Sequence, residues 1–451
     1  LSAYFDALQL LNKLAIIPLI FFLWTTYIFM ANLTRLSVIF ASLTLSAIAQ
    51  ADNAPAVPVN TPHIAALANN PNPSAIATPD AKVAAPKIAM PVVTVPPPPA
   101  LDVKSYVIMD AATGKILAAY NPDLQLPPAS LTKMMTSYVI SMAIKDGKIH
   151  MTDLVPISEK AWRTGGSKMF VKVGTQVPVK DLMQGIIVDS GNDACVAMAE
   201  YVAGSEDAFA NLMNQAGAAL GMKNTHFVDS TGLPDPAHHS TAHDLAQLAR
   251  GLVYSFPEDY QWYSQKWFTY NGIRQPNRNR LLWRDPSVDG IKTGHTDEAG
   301  FCLVSSAKRN NLRLIAVVMG APTDAARADD SQKLLDYGFR FFDTHVVYQA
   351  NTKLTQIRVW HGQDKMLDVG VSEPFIVSVI PGQFNQVQYQ FANMPKDLQA
   401  PIQKGTTVGE VQALLNGKVI ETAPLVALSD DPVGNLFSRL WDHVLHWFHR
   451  S

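Results

Sequence analysis

Three short strings hold residues whose types and spacing suit acyl transfer. Ser130 and Lys133 stand three apart in Ser130-Leu131-Thr132-Lys133, and at a helix start that spacing puts both on one face, with the ammonium in reach of the hydroxyl. A serine hydroxyl is a weak nucleophile at neutral pH until a base sits beside it. Lysine serves as that base only when burial or nearby positive charge lowers its pKa. Ser190-Gly191-Asn192 adds a hydroxyl that can relay a proton and an amide that can hold a carbonyl. Lys292-Thr293-Gly294 follows Asp289-Gly290-Ile291 and places a cation, a hydroxyl and a side-chain-free residue on a strand edge, where an extended peptide can pair with the backbone. Taken singly, each string is weak, and Ser-x-x-Lys reads equally well as a surface helix face.

The elements that must position these residues follow from the hydrophobic pattern. The run from Ser105, a turn at Ala111–Gly114 and the run K-I-L-A-A-Y predict a β-hairpin. Pro127-Pro128-Ala129 leads into a buried helix starting near Ser130, and Asp181–Val188 and Asp193–Ala203 are helical by pattern with Ser190-Gly191-Asn192 as the break between them. Another helix covers Ala242–Val253. After Asp289 the pattern returns to strands, with a turn at Arg309-Asn310-Asn311, and residues 328–343 form a closing helix. Strands at both ends with helices between them predict an α+β domain built on one antiparallel sheet, spanning 101–347. Short β segments and the turn pair Asn416-Gly417 predict a small all-β sandwich domain over 348–428.

Ser-x-x-Lys, Ser-x-Asn and Lys-Thr-Gly in this order, at a helix start, an inter-helix loop and a strand, are the motif set of penicillin-binding proteins and serine β-lactamases. From about Ser105 to Ser451 the chain resembles the low-molecular-mass penicillin-binding proteins that are D-alanyl-D-alanine carboxypeptidases. The likeness is close over S-L-T-K-M-M-T-S-Y-V, S-G-N-D-A-C-V-A-M-A-E, D-G-I-K-T-G-H-T-D-E-A-G and L-L-D-Y-G-F-R-F-F-D-T. The resemblance implies that Ser130 attacks the penultimate D-Ala carbonyl of peptidoglycan stem peptides with Lys133 as general base. It implies further that Ser190 protonates the leaving D-Ala and Asn192 holds the substrate amide. Lys292 then adds positive potential, while Thr293, beside Gly294, and Arg327 bind the terminal carboxylate. The backbone N–H groups of Ser130 and His295 form the oxyanion hole, and β-lactams acylate Ser130 covalently. No E-x-x-L-N string follows Glu159, Glu200 or Glu206, so the deacylating glutamate of class A β-lactamases has no counterpart in these positions. The Gly/Ser-rich loop 163–170 is expected to flank the site. Two alternatives stay open: a D,D-endopeptidase acting on crosslinks, and a non-catalytic cell-wall scaffold.

Composition narrows the rest. Lys+Arg 36 against Asp+Glu 38 leaves a net charge of -2, which gives no electrostatic reason to expect nucleic acid. Two cysteines exclude a disulfide-stapled scaffold or a multi-Cys metal framework, and Cys195 and Cys302 read as buried thiols, with a pairing as the alternative. His239 and His243 have zinc-like spacing, but Ser240 stands where a zincin needs glutamate, so no metal and no cofactor are expected. The aromatic group Tyr260, Trp262, Tyr263, Trp267, Phe268 and Tyr270 reads as packing, with a glycan site as the alternative.

The ends differ from the body. Only 7 of the 74 charges fall in residues 1–100. Arg35, the apolar run Leu36–Ile48 and Ala49-Gln50-Ala51 read as an export signal cleaved after Ala51, preceded by an apolar stretch 14–30 that is marginal as a membrane span. Residues 52–100 hold 12 of the 30 prolines and read as an extended linker. At the other end Asp431-Pro432 suits a helix start within 429–451. Val433, Leu436, Phe437, Leu440, Trp441, Val444, Leu445 and Phe448, with Trp447 beside them, then form an apolar stripe. This predicts a helix lying in a membrane surface, with packing against the β-domain as the alternative; the family resemblance implies the periplasmic face of the inner membrane of a Gram-negative bacterium.

Overall fold

The computed structural model describes residues 95–435. Five antiparallel strands form the central sheet, in the order Ile116–Tyr120, Ser105–Asp110, Leu312–Ala321, Gly300–Arg309, Val288–Thr296. The expected hairpin is its first pair, with Tyr106 opposite Tyr120. Strand alternation sorts the side chains between two cores. Val107, Met109, Ile315, Val317 and Met319 face the helical layer, while Tyr106, Ile108, Leu314, Ala316 and Val318 face the helix Asp324–Phe341 on the opposite side. Because the central strand is buried on both faces, its sequence from Leu314 to Ala321 is an unbroken apolar run.

In the helical layer, ten of the 13 residues of Lys133–Lys145 are buried, and eight of the 12 in Asn192–Ala203. A helix this enclosed has no polar face, which explains a Met-, Ala- and Val-rich sequence. Several boundaries differ from the sequence expectation. Ser130 sits in a 3₁₀ turn, Ala129–Thr132, ahead of its helix. The helix before Ser190 runs Val179–Gln184 and then widens into a π turn, Gly185–Asp189. The closing helix begins at Asp324, four residues early, because Thr323 Oγ1 accepts from the Ala326 N–H and caps it.

The second domain starts earlier than 348. Asp343–Tyr348 pairs with Phe375–Val379, ahead of a six-stranded sheet ordered Gln388–Ala392, Thr407–Leu415, Lys418–Ala427, Met366–Gly370, Lys353–Trp360, Asp397–Gln399. Its core centres on Val359, Val369, Val377, Val411 and Leu425. The buried Asp110 carboxylate ties the two domains by accepting from Thr344 Oγ1 at 2.7 Å and from Ser378 Oγ.

The expected helix start at Pro432 is not what forms. Asp431 bridges Ile402 and Val433 bridges Gly362, so backbone pairing with the β-domain holds this stretch extended. Leu436 through Phe448, like the export signal, lie outside the described residues. Cys195 and Cys302 are buried free thiols. Tyr260, Tyr263 and Phe268 of the aromatic group are buried and Trp262 packs against the same core, whereas Trp267 is exposed.

Candidate active site

Pro127 and Pro128 deliver the chain into the 3₁₀ turn, where Ala129 adopts a left-handed backbone at φ 49°. This places Ser130 at the helix entrance with Lys133 one turn on. Lys133 Nζ lies 3.0 Å from Ser130 Oγ and donates to the Thr231 carbonyl at 2.6 Å. The lysine is 1% exposed. Burial lowers its pKa and the Arg278 guanidinium lowers it further, against the opposing pull of Cys195, Asp229 and Asp193.

A second lysine and serine stand nearby. Lys292 Nζ donates to Ser190 Oγ at 2.9 Å and to its neighbour's carbonyl, Thr293 O, at 3.1 Å. Ser190 follows the π turn in a left-handed conformation, φ 60°, and both side chains are almost wholly buried. Burial drives Lys292 well below the usual lysine range, with the positive charges of Lys133 and Arg278 acting in the same direction. Two buried ammonium groups repel, so the site favours an uncharged amine, the form able to take a proton.

Asn192 is held by two hydrogen bonds to the flanking loop. Its Nδ2 donates to Gly165 O at 2.7 Å and its backbone N–H to Ser167 O at 2.7 Å, while Oδ1 is buried without a hydrogen-bond partner. The flanking loop is fastened by Asp193, whose carboxylate accepts the N–H groups of Met169, Phe170 and Val171 at 2.9 to 3.1 Å. Arg278 reaches the same loop, donating to Ser167 Oγ at 2.7 Å.

The Lys-Thr-Gly strand is the sheet edge closest to the serine turn. A Cβ on Gly294 would meet Pro128 O at 2.8 Å, so only glycine lets strand and turn approach this closely. Thr293 is buried beside it, whereas His295 turns its ring outward onto Phe301, at 4.0 Å between centroids. Arg327 Nη1 donates to Gly294 O at 3.1 Å, and Nη2 pairs with Asp324. The residues singled out in the sequence, Ser130, Lys133, Ser190, Asn192, Lys292, Thr293, Gly294, His295 and Arg327, are thus linked through contacts among the serine turn, the inter-helix break and the sheet edge.

Sequence reasoning missed several residues of this site. Thr231 contributes a backbone carbonyl, which has no side-chain signature. Arg278 and Asp193 act on the loop from other elements. Asp189 is buried with both carboxylate oxygens lacking a hydrogen-bond partner, and burial raises its pKa to about 7 despite Arg278 nearby. His238 lies 2.9 Å from Thr132 Oγ1, while His243 faces Asp123. Among the described residues no three His, Cys, Asp or Glu side chains converge as a metal site.

A hydroxyl at a helix entrance, a buried amine beside it and a second lysine-serine pair nearby are an arrangement suited to serine acyl transfer with lysine in the place of histidine. The D-alanyl-D-alanine carboxypeptidase family matches residues 92–323, and the C-terminal domain of penicillin-binding protein 5 matches residues 342–432. D-alanyl-D-alanine carboxypeptidase DacC of Escherichia coli is 45% identical over 359 residues, which cover 78% of this chain and 90% of that protein. The crystal structure of penicillin binding protein 5 from Haemophilus influenzae superposes with a TM-score of 0.70 at 44% identity, covering 74% of this chain and 99% of that one. Penicillin-Binding Protein D2 from Listeria monocytogenes, solved in a cefotaxime-bound form, matches at 29% identity and a TM-score of 0.51, covering 54% of this chain and all (100%) of that one. The chain belongs to the D-alanyl-D-alanine carboxypeptidase family of low-molecular-mass penicillin-binding proteins and is a serine peptidase. Relatives at 45% identity, DacC and DacA of Escherichia coli, are D-alanyl-D-alanine carboxypeptidases, which does not favour the endopeptidase alternative.

Proposed function

We propose that this enzyme removes the terminal D-Ala from peptidoglycan stem peptides through an acyl-enzyme on Ser130. The observation that carries this reading is the buried Lys133 amine 3.0 Å from Ser130 Oγ. A neutral amine spends one N–H on Thr231 O and keeps its lone pair for the serine proton, which frees Oγ to attack the penultimate D-Ala carbonyl. The oxygen charge that develops is taken by the Ser130 and His295 backbone N–H groups, each typically worth about 3 kcal/mol. Ser190 passes a proton to the departing amine and is replenished through Lys292. Asn192 Oδ1, unpartnered and buried, suits a substrate amide N–H. Thr293 and Arg327 take the terminal carboxylate, the feature that makes the enzyme an exopeptidase. Water then releases the shortened peptide, and β-lactams enter the same path by acylating Ser130.

We place the catalytic domain within 101–347, allowing for the earlier β-domain start, and site the enzyme on the periplasmic face of the inner membrane after export and cleavage at Ala51. Leu436, Phe437, Leu440, Trp441, Val444, Leu445, Trp447 and Phe448 would then anchor it to the lipid surface. Fluorescent penicillin on the full chain, with Ser130→Ala as control, followed by D-Ala release from a stem pentapeptide, tests the chemistry. Label lost in the variant together with D-Ala release supports it, and label retained in the variant defeats it. For the anchor, deletion of 436–451 is expected to move the protein out of the membrane fraction, and an unchanged fraction rejects the assignment.

A further inference from the structure

The turn 229–233 packs directly on the serine turn and is closed by a buried histidine. Asp229 Oδ1 gathers the Thr231 N–H at 2.6 Å, the Thr231 hydroxyl at 2.7 Å and the Gly232 N–H at 2.7 Å. Its other oxygen faces His238 Nδ1 at 3.3 Å. The second ring nitrogen, His238 Nε2, lies 2.9 Å from Thr132 Oγ1, inside the Ser-x-x-Lys string. Thr136, one turn further along the helix, donates from Oγ1 to the Ser230 carbonyl at 2.6 Å. The turn is thus fastened to the nucleophile helix at both Thr132 and Thr136.

Two features show what this fastening holds. Gly232 has φ 81°, and a Cβ there would fall 1.8 Å from the Ala129 carbonyl oxygen, so the turn presses on the residue preceding the nucleophile. Ala129 itself keeps a left-handed backbone, which a non-glycine residue holds only when its surroundings over-determine it. The same turn presents the Thr231 carbonyl that accepts from Lys133 Nζ.

We propose that Asp229 and His238 are positioning residues for acylation, clamping the 229–233 turn onto Thr132 so that Ala129 stays left-handed and Thr231 O stays aimed at Lys133. The inference rests on the reading of Ser130 as nucleophile. Neither side chain touches substrate; both act through the turn. Asp229 has a second effect through charge. Burial would raise its pKa, but the His238 ring beside it and the hydrogen bonds from Thr231 hold it at about 2, so it is ionised throughout the working range and its field favours the protonated form of Lys133. The other charged or titratable groups facing Lys133 are Asp193, Arg278, Lys292 and Cys195, none of which the proposed variants alter.

The test uses the full chain and follows the second-order rate of Ser130 acylation by fluorescent penicillin, together with kcat and KM for D-Ala release, between pH 5 and 10. His238→Ala is expected to slow acylation 10- to 100-fold with the loss in kcat. His238→Gln, whose amide reaches toward Thr132 as Nε2 does, should recover most of it. Asp229→Asn should move the acid limb of the acylation profile to lower pH, because it removes a charge that holds Lys133 protonated. Should His238→Ala not fold, Asp229→Asn and His238→Gln decide the matter by the pH limb and the retained rate. Wild-type rates and limbs in the variants that fold would overturn the proposal. So would losses that track the melting temperature alone, without a moved limb or a glutamine rescue. Label persisting in Ser130→Ala would instead bring down the nucleophile assignment and the inference with it.

Discussion

Lys292 Nζ donates to the Ser190 hydroxyl at 2.9 Å, across 102 residues of sequence, and repeats the relation that Lys133 has with Ser130. The two pairs differ in origin. Lys133 and Ser130 share one helical turn, whereas Lys292 reaches Ser190 only because a sheet edge packs against an inter-helix break. Burial drives Lys292 well below the usual lysine range, and the charge of Lys133 pushes it in the same direction.

Acylation should have an acid limb set by Lys133, below the usual lysine range because the amine is buried. A base must be neutral to accept the Ser130 proton, so the rate rises as pH climbs through the depressed lysine pKa. Lys133→Ala should cost about 10²- to 10⁴-fold in acylation rate. Stopped-flow acylation by a chromogenic cephalosporin across pH 5 to 10 measures both.

Asp189→Asn should stabilise the protein, and more so at high pH. The folded carboxyl has its pKa raised to about 7 from an ordinary 3.8. The native state therefore binds the proton more tightly than the unfolded chain, and stability falls as pH rises between those values. Asparagine mimics the neutral acid without that penalty. The melting temperature of the variant should exceed that of wild type by a few degrees at pH 8, with the gap closing toward pH 4; equal gaps at both ends would refute it.

Removing Asp193 should loosen one wall of the site. Asp193→Ala leaves the N–H groups of Met169, Phe170 and Val171 without their acceptor, at a cost of about 3 kcal/mol in urea unfolding. Proteolysis of the native enzyme should then cut within 163–170 sooner than in wild type.

Arg327→Gln should separate peptide substrates by their ends. Loss of the guanidinium removes a charge-assisted partner for a free terminal carboxylate. The value of kcat/KM for a stem peptide ending in D-Ala-D-Ala is expected to fall about 10²-fold, with a much smaller change for the same peptide amidated at its terminus. Comparable losses on both would show that Arg327 supports the fold through Gly294 O and Asp324 instead.

The sequence by itself determined the hairpin, the central apolar strand, the α+β order and the three strings that carry Ser130, Lys133, Ser190, Asn192 and Lys292. These features are local: strand alternation, helical spacing and side-chain chemistry are all legible within a few residues. It did not determine where the π turn or the start of the closing helix falls, since those depend on caps and on backbone groups finding partners. Nor did it show that residues 431–433 pair with the β-domain, because a bridge to Gly362 or Ile402 leaves no mark on their own periodicity. Only the tertiary structure decided that Thr231 gives a carbonyl to Lys133, that Asp193 fastens the loop, that Arg278 lends its charge to both lysines and that His238 meets Thr132. The physical reason is common to all four: burial and long-range contact set which atoms face one another and what charge they carry, and neither is encoded in the spacing of residues along the chain.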